Sequence, residues 1–289
     1  MTRQRSLPET IAAVVSDVDG TLVRSDKSVA PRTVGAVRAL RDKGVKFAIV
    51  SSRPPRGLKA VISNLNIAMP VAGFNGGVIA LPDLSVITSH LIAADVARHA
   101  VEAIEASGAS AWVFSGQDWI IRDRNGPRVA LEEKTVGFGP TVATDFAAVI
   151  GAAAKIVAVS NDFGQLTKLQ GEFRAAFSGR ANIVRSQTYY LDLTHPLANK
   201  GQALIELTRL MDVPAARTAA IGDGENDVDM FTQAGLSIAM GNGDAKVRAA
   251  ADFITASNDD DGWASAIEWF VVDGKRVPIG GARTPREVA

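Results

Sequence analysis

Short apolar runs alternate with amphipathic segments in the first and last thirds of this chain of 289 residues. Near the N-terminus, "IAAVVSD" and "VKFAIV" indicate buried strands on either side of the helical segment "PRTVGAVRALRDKG". Near the C-terminus, "NKGQALIELTRLM", "RTAAIG", "ENDVDMFTQAG" and "LSIAM" repeat the pattern. Because helices that join successive strands favour parallel pairing, the alternation predicts an α/β fold with a parallel-sheet core covered by helices on both faces.

The middle of the chain breaks this alternation. "AWVFS" and "WIIRD" indicate a hairpin, and the strand "AKIVAVS", a helix near residues 162–177 and the strand "YYLDL" follow. An α+β unit inserted into the α/β core accounts for the change. We place this inserted domain at residues 84–190, so that residues 1–83 and 191–289 form one discontinuous core domain. After Val272 no periodicity is left, and fraying is expected there.

The composition excludes several classes of function. There are 31 basic and 31 acidic residues without a long basic run, which argues against a nucleic-acid or anionic-membrane partner. The absence of cysteine excludes disulfides, thiolate metal sites and cysteine nucleophiles. The N-terminus has no signal-peptide core, and no segment approaches the roughly 18 apolar residues of a membrane span. We therefore expect a cytoplasmic protein.

Polar residues follow four of the predicted strands. Asp17 and Asp19 follow the first strand, Ser51 the second, "FNGG" the third, and "GDGEND", residues 222–227, a later one. In a parallel sheet, ligands bind beyond the carboxyl ends of the strands. Crowded carboxylates repel one another, so such a cluster needs a cation, and oxygen ligands favour Mg²⁺. Lys200, in "NKGQAL", is a candidate for a fixed positive charge nearby.

Four of these stretches together resemble a known family. "DVDGTL", "SSR", "NKGQAL" and "GDGENDVDM" resemble, in this order, the four motifs of the haloacid dehalogenase-like phosphatases. The insertion after the third strand resembles the cap of the Cof-like, class IIB branch, and "FNGG", "AMGNGDAKVRAAAD" and "DGWASAI" are similar to stretches typical of that branch. The resemblance covers nearly the whole chain. It implies a Rossmann-like core, a cap that selects the substrate, and a Mg²⁺-dependent phosphatase acting on sugar phosphates or similar small phosphorylated metabolites.

The resemblance also implies roles for single residues. Asp17 is expected to attack phosphorus and form an aspartyl-phosphate, while Asp19 protonates the leaving oxygen and later activates water. Ser51 and Lys200 are expected to contact the phosphoryl group. The expected Mg²⁺ ligands are Asp17, Asp19 through its backbone carbonyl, Asp223 and Asp227, and the expected substrate contacts are Ser52, Asn75, Gly76 and Asn226.

One position departs from the family pattern. Members usually carry Thr-Gly-Arg where this chain has Ser51, Ser52 and Arg53. Ser51 keeps the hydroxyl that contacts phosphate, so the chemistry is expected to be retained. Ser52 stands where glycine is usual, and we expect its side chain to bear on the choice of substrate.

Other interpretations of these residues stay open. Within enzymes they include a phosphomutase and a phosphatase specialised for mannosylglycerate phosphate or sucrose phosphate. Outside enzymes they include a catalytically silent regulator that binds a phosphorylated metabolite, although the intact Asp17, Asp19, Lys200 and Asp223 argue against it. A calcium loop is excluded because the glycine and glutamate spacing does not fit. The sequence leaves the substrate open, and we expect a monomer or a small homo-oligomer.

Residues of the expected cap and the histidines give weaker predictions. Trp112 and Trp119 are expected to pack in the hairpin, with stacking of either one on a sugar ring as the alternative. Arg122 and Asp118 are further candidates for substrate contacts. Three histidines have no spacing typical of a metal site and are expected to be structural, with the last of them a candidate for the cleft: His90, His99 and His195.

Overall fold

The structure, a computed structural model, describes residues 7–277 and residue 279, and its strands and helices form three consecutive groups. The first group is β1 (Ala13–Ser16), α1 (Pro31–Asp42), β2 (Lys46–Ile49), α2 (Lys59–Leu65), β3 (Val71–Gly73), β4 (Val78–Ala80) and β5 (Val86–Ser89). The second is α3 (Ala94–Ala106), β6 (Ser110–Ser115), β7 (Asp118–Ile121), α4 (Val129–Val136), β8 (Thr141–Val142), β9 (Ala153–Val159), α5 (Phe163–Ala176), β10 (Asn182–Gln187) and β11 (Tyr190–Thr194). The third is α6 (Lys200–Leu210), β12 (Thr218–Gly222), α7 (Val228–Gln233), β13 (Leu236–Ala239), α8 (Ala245–Ala250), β14 (Phe253–Ile254) and α9 (Gly262–Ala266), which continues as a π-helical segment, Ile267–Val272.

The core sheet joins strands from the first and third groups. Its order is β14-β13-β12-β1-β2, and every neighbouring pair is parallel. Helices cover both faces, with Leu40 of α1 and Trp263 of α9 on one side and Leu204 and Leu207 of α6 on the other. Because both faces are covered, β1 and β12 are buried along their whole length, as their continuous apolar sequences predict. The predicted α/β class is confirmed.

A second, six-stranded sheet belongs to the inserted segment. Its order is β10-β11-β9-β6-β7-β8, antiparallel except for the β7–β8 pair. Alternate side chains point to opposite faces, so Val113 and Ile156 pack under α3 and α5, whereas Trp112 and Val157 lie on the opposite face. Phe74, from the core, packs in the same cluster as Trp112 and Val157. This second face therefore looks toward the core domain.

Strand pairing moves both edges of the inserted segment. Strand β5 pairs with β4 in a small three-stranded sheet, and β3 of that sheet contacts the core through the bridge between Val50 and Ala72. Strand β11 pairs with β9 and β10 in the cap sheet. The expected edges of the inserted domain, residues 84 and 190, lie just before β5 and at the first residue of β11. The strand pairing instead groups β5 with β4 and groups β11 with the cap sheet, so the edges that it indicates lie after Ser89 and after Thr194. The division into two folding units stays a prediction.

Two expectations concern the ends of the chain and the membrane. The predicted fraying after Val272 falls partly on residue 278 and residues 280–289, which lie outside the described residues. In the described part of the chain, no helix combines the length and the hydropathy needed to cross a bilayer.

Candidate active site

Three carboxylates meet at the carboxyl ends of β1 and β12. Asp17 directly follows β1, and its backbone N–H donates to the carbonyl of Ile221 in β12 at 2.9 Å. Asp223 follows β12, and Asp227 lies one turn further along. Each of the three aspartates has a carboxylate oxygen within 4.8 Å of the others. The parallel register of two adjacent strands thus brings together residues more than two hundred positions apart in sequence.

Lys200 lies between two of these carboxylates. Its Nζ donates to Oδ1 of Asp17 and to Oδ1 of Asp227, both at 2.6 Å, and its side chain is only 2% exposed. Burial by itself would lower the pKa of Lys200, but the two carboxylates outweigh that effect and raise it. The lysine therefore stays charged and fixes the separation of the two aspartates.

The cluster carries more negative charge than one lysine balances. Burial raises the pKa of Asp17 to about 8, although Lys200 opposes the shift, and the neighbouring Asp227 and Asp223 add to it. Burial and Asp227 also raise the pKa of Asp223. A cluster of this kind binds a proton or a cation, and its carboxylate oxygens are the ligands that Mg²⁺ prefers. The three aspartates thus fit the expected metal.

Hydrogen bonds hold the two carboxylates that follow β12. Oδ2 of Asp227 accepts from the backbone N–H groups of Asp223 and Gly224, at 3.0 and 2.8 Å. Oδ1 of Asp223 accepts from the Thr21 hydroxyl at 2.9 Å, so the loop after β1 also orients a residue after β12. These contacts fix both carboxylates independently of any ligand.

Two glycines leave room for these carboxylates. A Cβ at Gly222 would lie 2.3 Å from Cγ of Asp227, and a Cβ at Gly20 would lie 2.3 Å from Oδ2 of Asp223. Gly20 also has φ +77°, a conformation that other residues rarely adopt. Close approach therefore requires glycine at position 222, and both close approach and backbone conformation require it at position 20.

The side chain of Asp19 points away from the other carboxylates. It accepts from Nε and Nη2 of Arg53, at 2.6 and 2.5 Å, and from Nζ of Lys27 at 2.7 Å. Burial opposes ionisation, but these two cations outweigh it and lower the pKa of Asp19. The expected separation of roles between Asp17 and Asp19 thus has a geometric counterpart. The expected metal contact through the Asp19 carbonyl stays a prediction.

The loop residues after β2 and β3 lie close together. Ser51 is buried at the end of β2, its Oγ accepts from the backbone N–H of Arg53, and its carbonyl accepts from the backbone N–H of Asn75. Asn75, at φ +58°, accepts through Oδ1 from Nδ2 of Asn226 at 3.1 Å. Gly76 packs against α6, where a Cβ would lie 2.7 Å from that of Ala203. The proposed substrate contacts of these residues stay predictions.

A pocket of about 280 Å³ lies between the core and the inserted domain. Core residues line one side, including Asp19, Ser52 and Arg53. The other side is lined from the inserted domain, and four of its polar residues were missed by the sequence analysis: Glu132, Lys155, Tyr189 and Tyr190. A charged residue inside the apolar run "AAKIVAV" was the available signal for Lys155.

Several residues that the sequence suggested as substrate contacts lie outside this pocket. Trp119 packs against Trp112 with ring centroids 4.9 Å apart, so the predicted hairpin packing is confirmed and a sugar contact by Trp119 is not supported. Arg122 pairs with Glu105, and Asp118 lies 3.9 Å from Arg56. None of these residues lines the pocket.

The histidines also lie outside the pocket. His195 stacks on His90, with ring centroids 5.3 Å apart, and His99 packs edge-on against Phe177. None of the three is among the residues that line the pocket, so His195 is wrong as a candidate for the cleft.

Comparison with known proteins agrees with this geometry. Residues 14–267 match the family described as haloacid dehalogenase-like hydrolase. Phosphatase YwpJ of Bacillus subtilis is 26% identical over 277 residues, which cover 87% of this chain and 96% of that protein. The crystal structure of a haloacid dehalogenase-like hydrolase from Bacteroides thetaiotaomicron is 28% identical, with a TM-score of 0.83 over 90% of this chain and 99% of that one. A sugar phosphatase of haloacid dehalogenase subclass IIB, 22% identical, shares the fold, with a TM-score of 0.77 over 89% and 97% of the two chains.

The chain therefore belongs to the haloacid dehalogenase-like hydrolases. The family predicted from the four motifs is confirmed, and so is the predicted enzyme class, a phosphoric monoester hydrolase.

Proposed function

We propose that this protein hydrolyses small phosphomonoesters, sugar phosphates among them, in a Mg²⁺-dependent reaction that passes through an aspartyl-phosphate on Asp17. The observation that carries the proposal is the buried contact of Lys200 with Asp17 and Asp227, next to Asp223 at the ends of two parallel strands. We place the enzyme in the cytoplasm, acting on a small metabolite without a nucleic-acid or membrane partner, as a monomer or small homo-oligomer.

Asp17 and Asp19 divide the chemistry in this proposal. A carboxylate oxygen of Asp17 forms a bond to phosphorus while the bond from phosphorus to the leaving oxygen breaks, and Asp19 gives that oxygen a proton. Water then attacks the phosphorus, Asp19 takes a proton from it, and the bond between phosphorus and Asp17 breaks. The contacts of Arg53 and Lys27 favour the ionised Asp19 that the second step requires.

Other residues hold the phosphoryl group and the metal. Lys200 and Ser51 are the proposed phosphoryl contacts, with Asn226 beside them. When bound, Mg²⁺ neutralises phosphoryl charge and reduces its repulsion from the nucleophile. Its proposed ligands are Asp17, the Asp19 carbonyl, Asp223 and Asp227. Residues of the inserted domain line one side of the pocket, and the inserted domain is proposed to exclude water and select the leaving group.

Phosphate release from a panel of sugar phosphates, with MgCl₂ or with EDTA, tests this function. We expect metal-dependent release by the wild type and a loss of about 10⁴-fold or more in Asp17→Asn, because the nucleophile is removed. Asp145→Asn, an exposed position of the inserted domain, is the matched control and should keep wild-type activity. An acid-quenched reaction should contain phosphorylated wild type but no phosphorylated Asp17→Asn.

The alternatives give different results in the same panel. Binding of the substrates without any phosphate release would contradict hydrolysis and favour the silent regulator. Isomerisation of a sugar phosphate that depends on a sugar bisphosphate would favour the phosphomutase instead.

A further inference from the structure

The face of the cap sheet that looks toward the core is largely apolar. Trp112, Phe114 and Val157 lie on it and belong to one buried cluster. Two charged side chains interrupt this face, Lys155 in β9 and Asp192 in β11. They lie in neighbouring strands, where Lys155 is directly opposite Thr194 and Asp192 is opposite Val157.

These two side chains form a buried ion pair. Nζ of Lys155 lies 2.6 Å from Oδ2 of Asp192, and the side chains are 12% and 8% exposed. The other carboxylate oxygen of Asp192 is buried without a hydrogen-bond partner. A buried ion pair gives little or no stability beyond what apolar residues of similar size would give. The stability of the fold therefore does not explain why two charged side chains occur on the face of the cap sheet that looks toward the core.

The pocket supplies another explanation. Lys155 lines it beside Glu132, and the Tyr190 hydroxyl, also at the pocket, donates to Oε2 of Glu132 at 3.3 Å. Gln187 and Thr135 add an amide and a hydroxyl to the same side. Across from them lies Asp19, the proposed proton donor to the leaving oxygen. Because Asp19 lines the pocket, a leaving oxygen held at Asp19 would direct the rest of the leaving group toward this set of donors and acceptors.

The charges around the pocket indicate the character of that leaving group. Lys155 is paired with Asp192, while Arg53 and Lys27 are both paired with Asp19. Arg53 and Lys27 share the single carboxylate of Asp19, and Asp192 and Glu132 bring the carboxylates at the pocket to three against three cations, a balance that disfavours a second phosphate. A hydroxyl both donates and accepts hydrogen bonds, so it matches a wall that offers both kinds of group.

We propose that Lys155 and Glu132 determine specificity by contacting the hydroxyl groups of a neutral, polyhydroxylated leaving group. Asp192 is a positioning residue that holds the Lys155 ammonium at the pocket. This inference rests on the proposed phosphatase function and assigns the part of the pocket that distinguishes one phosphomonoester from another.

The test compares glucose 6-phosphate with acetyl phosphate, whose leaving group is too small to reach Lys155 and Glu132. These two residues and Asp192 are called the cap wall below. For Lys155→Met and Glu132→Gln we expect kcat/KM with glucose 6-phosphate to fall by about 10- to 100-fold, mainly through KM, because a hydrogen bond to a charged group is lost. With acetyl phosphate the fall should stay below about threefold. Lys168→Met, at an exposed lysine of α5, is the matched control and should match the wild type.

Asp192 and folding need separate variants. Asp192→Asn should raise KM for glucose 6-phosphate with little change in kcat, because Lys155 loses its orientation. The double variant Lys155→Met/Asp192→Leu removes both charges, so it should fold and still lose the preference for glucose 6-phosphate. The wild type should also prefer glucose 6-phosphate to fructose 1,6-bisphosphate.

Three results would overturn the inference. If kcat/KM of the folded double variant falls equally for both substrates, the ion pair is structural. If its kinetics are unchanged, the ion pair does not contribute to substrate binding. A wild-type preference for the bisphosphate would contradict the neutral leaving group. Failure of the wild type to release phosphate from any compound, acetyl phosphate included, would instead overturn the proposed function itself.

Discussion

The core and the inserted domain both bury charged side chains on the sides that face each other, but with different balances. At the core site three carboxylates, Asp17, Asp223 and Asp227, surround one lysine, Lys200. In the cap wall one lysine meets one carboxylate, Lys155 with Asp192. The core cluster has an excess of negative charge, whereas the cap pair is neutral as a unit.

This difference separates a site that needs a further cation from one that does not. Burial and the neighbouring carboxylates raise the pKa of Asp17 and Asp223, so the ionised cluster is costly without a counter-charge. The neutral cap pair can be removed as a unit without leaving an isolated charge. In the proposed function, the core therefore carries the reaction chemistry, and the pocket residues of the inserted domain contact the leaving group.

Replacing Lys200 should give the largest difference in stability between the core site and the cap ion pair. We expect Lys200→Met in EDTA at alkaline pH to lower the free energy of unfolding by about 3–5 kcal/mol, because two buried carboxylates lose their partner. The cap variant Lys155→Met/Asp192→Leu should change it by less than about 1 kcal/mol, or raise it. Urea denaturation of both variants checks this. Equal losses would show that the charge balance does not distinguish the two sites.

Adding a divalent cation should affect the core alone. Millimolar MgCl₂ should raise the free energy of unfolding of the wild type by about 2–3 kcal/mol when its concentration is near 100 times the dissociation constant. Asp223→Asn should lose most of that gain, because one carboxylate ligand is replaced by a neutral amide. Asp145→Asn serves as the control and should keep it. Thermal unfolding with MgCl₂ and with EDTA gives the measurement, and an equal gain in Asp223→Asn would place the cation elsewhere.

Two glycine substitutions test whether the close contact between Gly222 and Asp227 at the core site excludes a side chain. Gly222→Ala should lower the free energy of unfolding by about 1–3 kcal/mol and reduce activity, because the new methyl group collides with Asp227. Gly35→Ala, in α1 with open space around its Cβ position, should raise it by about 0.4–1 kcal/mol. Chemical denaturation with activity assays tests both, and a neutral Gly222→Ala would contradict the tight fit.

The pH dependence of stability tests the raised pKa of Asp17. The carboxyl of Asp17 ionises near 3.8 in the unfolded chain and near 8 in the folded one, so the folded state holds the extra proton between these values. Stability in EDTA, relative to Asp17→Asn, should therefore fall as pH rises from about 4 to about 8. MgCl₂ should flatten the difference, because the cation replaces the proton. A difference that rises with pH would contradict the raised pKa.

The core site was largely predictable because its residues follow strand ends. A buried parallel strand is recognisable from a continuous apolar run, and the polar residues after it must lie at one edge of the sheet. Asp17, Asp223 and Asp227 were located in this way, and Lys200 was added by its position at the start of a helix. The side-chain direction of Asp19 was not predictable, because it depends on Arg53 from the loop after β2 and on Lys27 from later in the same loop.

The pocket wall was the part that the sequence did not reveal. Glu132 comes from α4, Lys155 from β9 and Tyr190 from β11, and no local pattern connects them. The weaker candidates Arg122 and Trp119 lie in the same hairpin region that suggested them, but strand alternation and packing direct them away from the pocket. The pairing of β11 with β9 and β10 was also not predicted, because strand pairing is a long-range property.

By itself, the sequence determined the α/β class and the strand-end carboxylates that meet at the core site, and it predicted the inserted domain. These depend on hydrophobic periodicity and on short motifs, which are local along the chain. Only the tertiary structure decided which face of the cap sheet meets the core, which charged side chains that face presents, and where Asp19 points. Those features depend on contacts between segments far apart in sequence, whose free energies arise only once the two domains pack together.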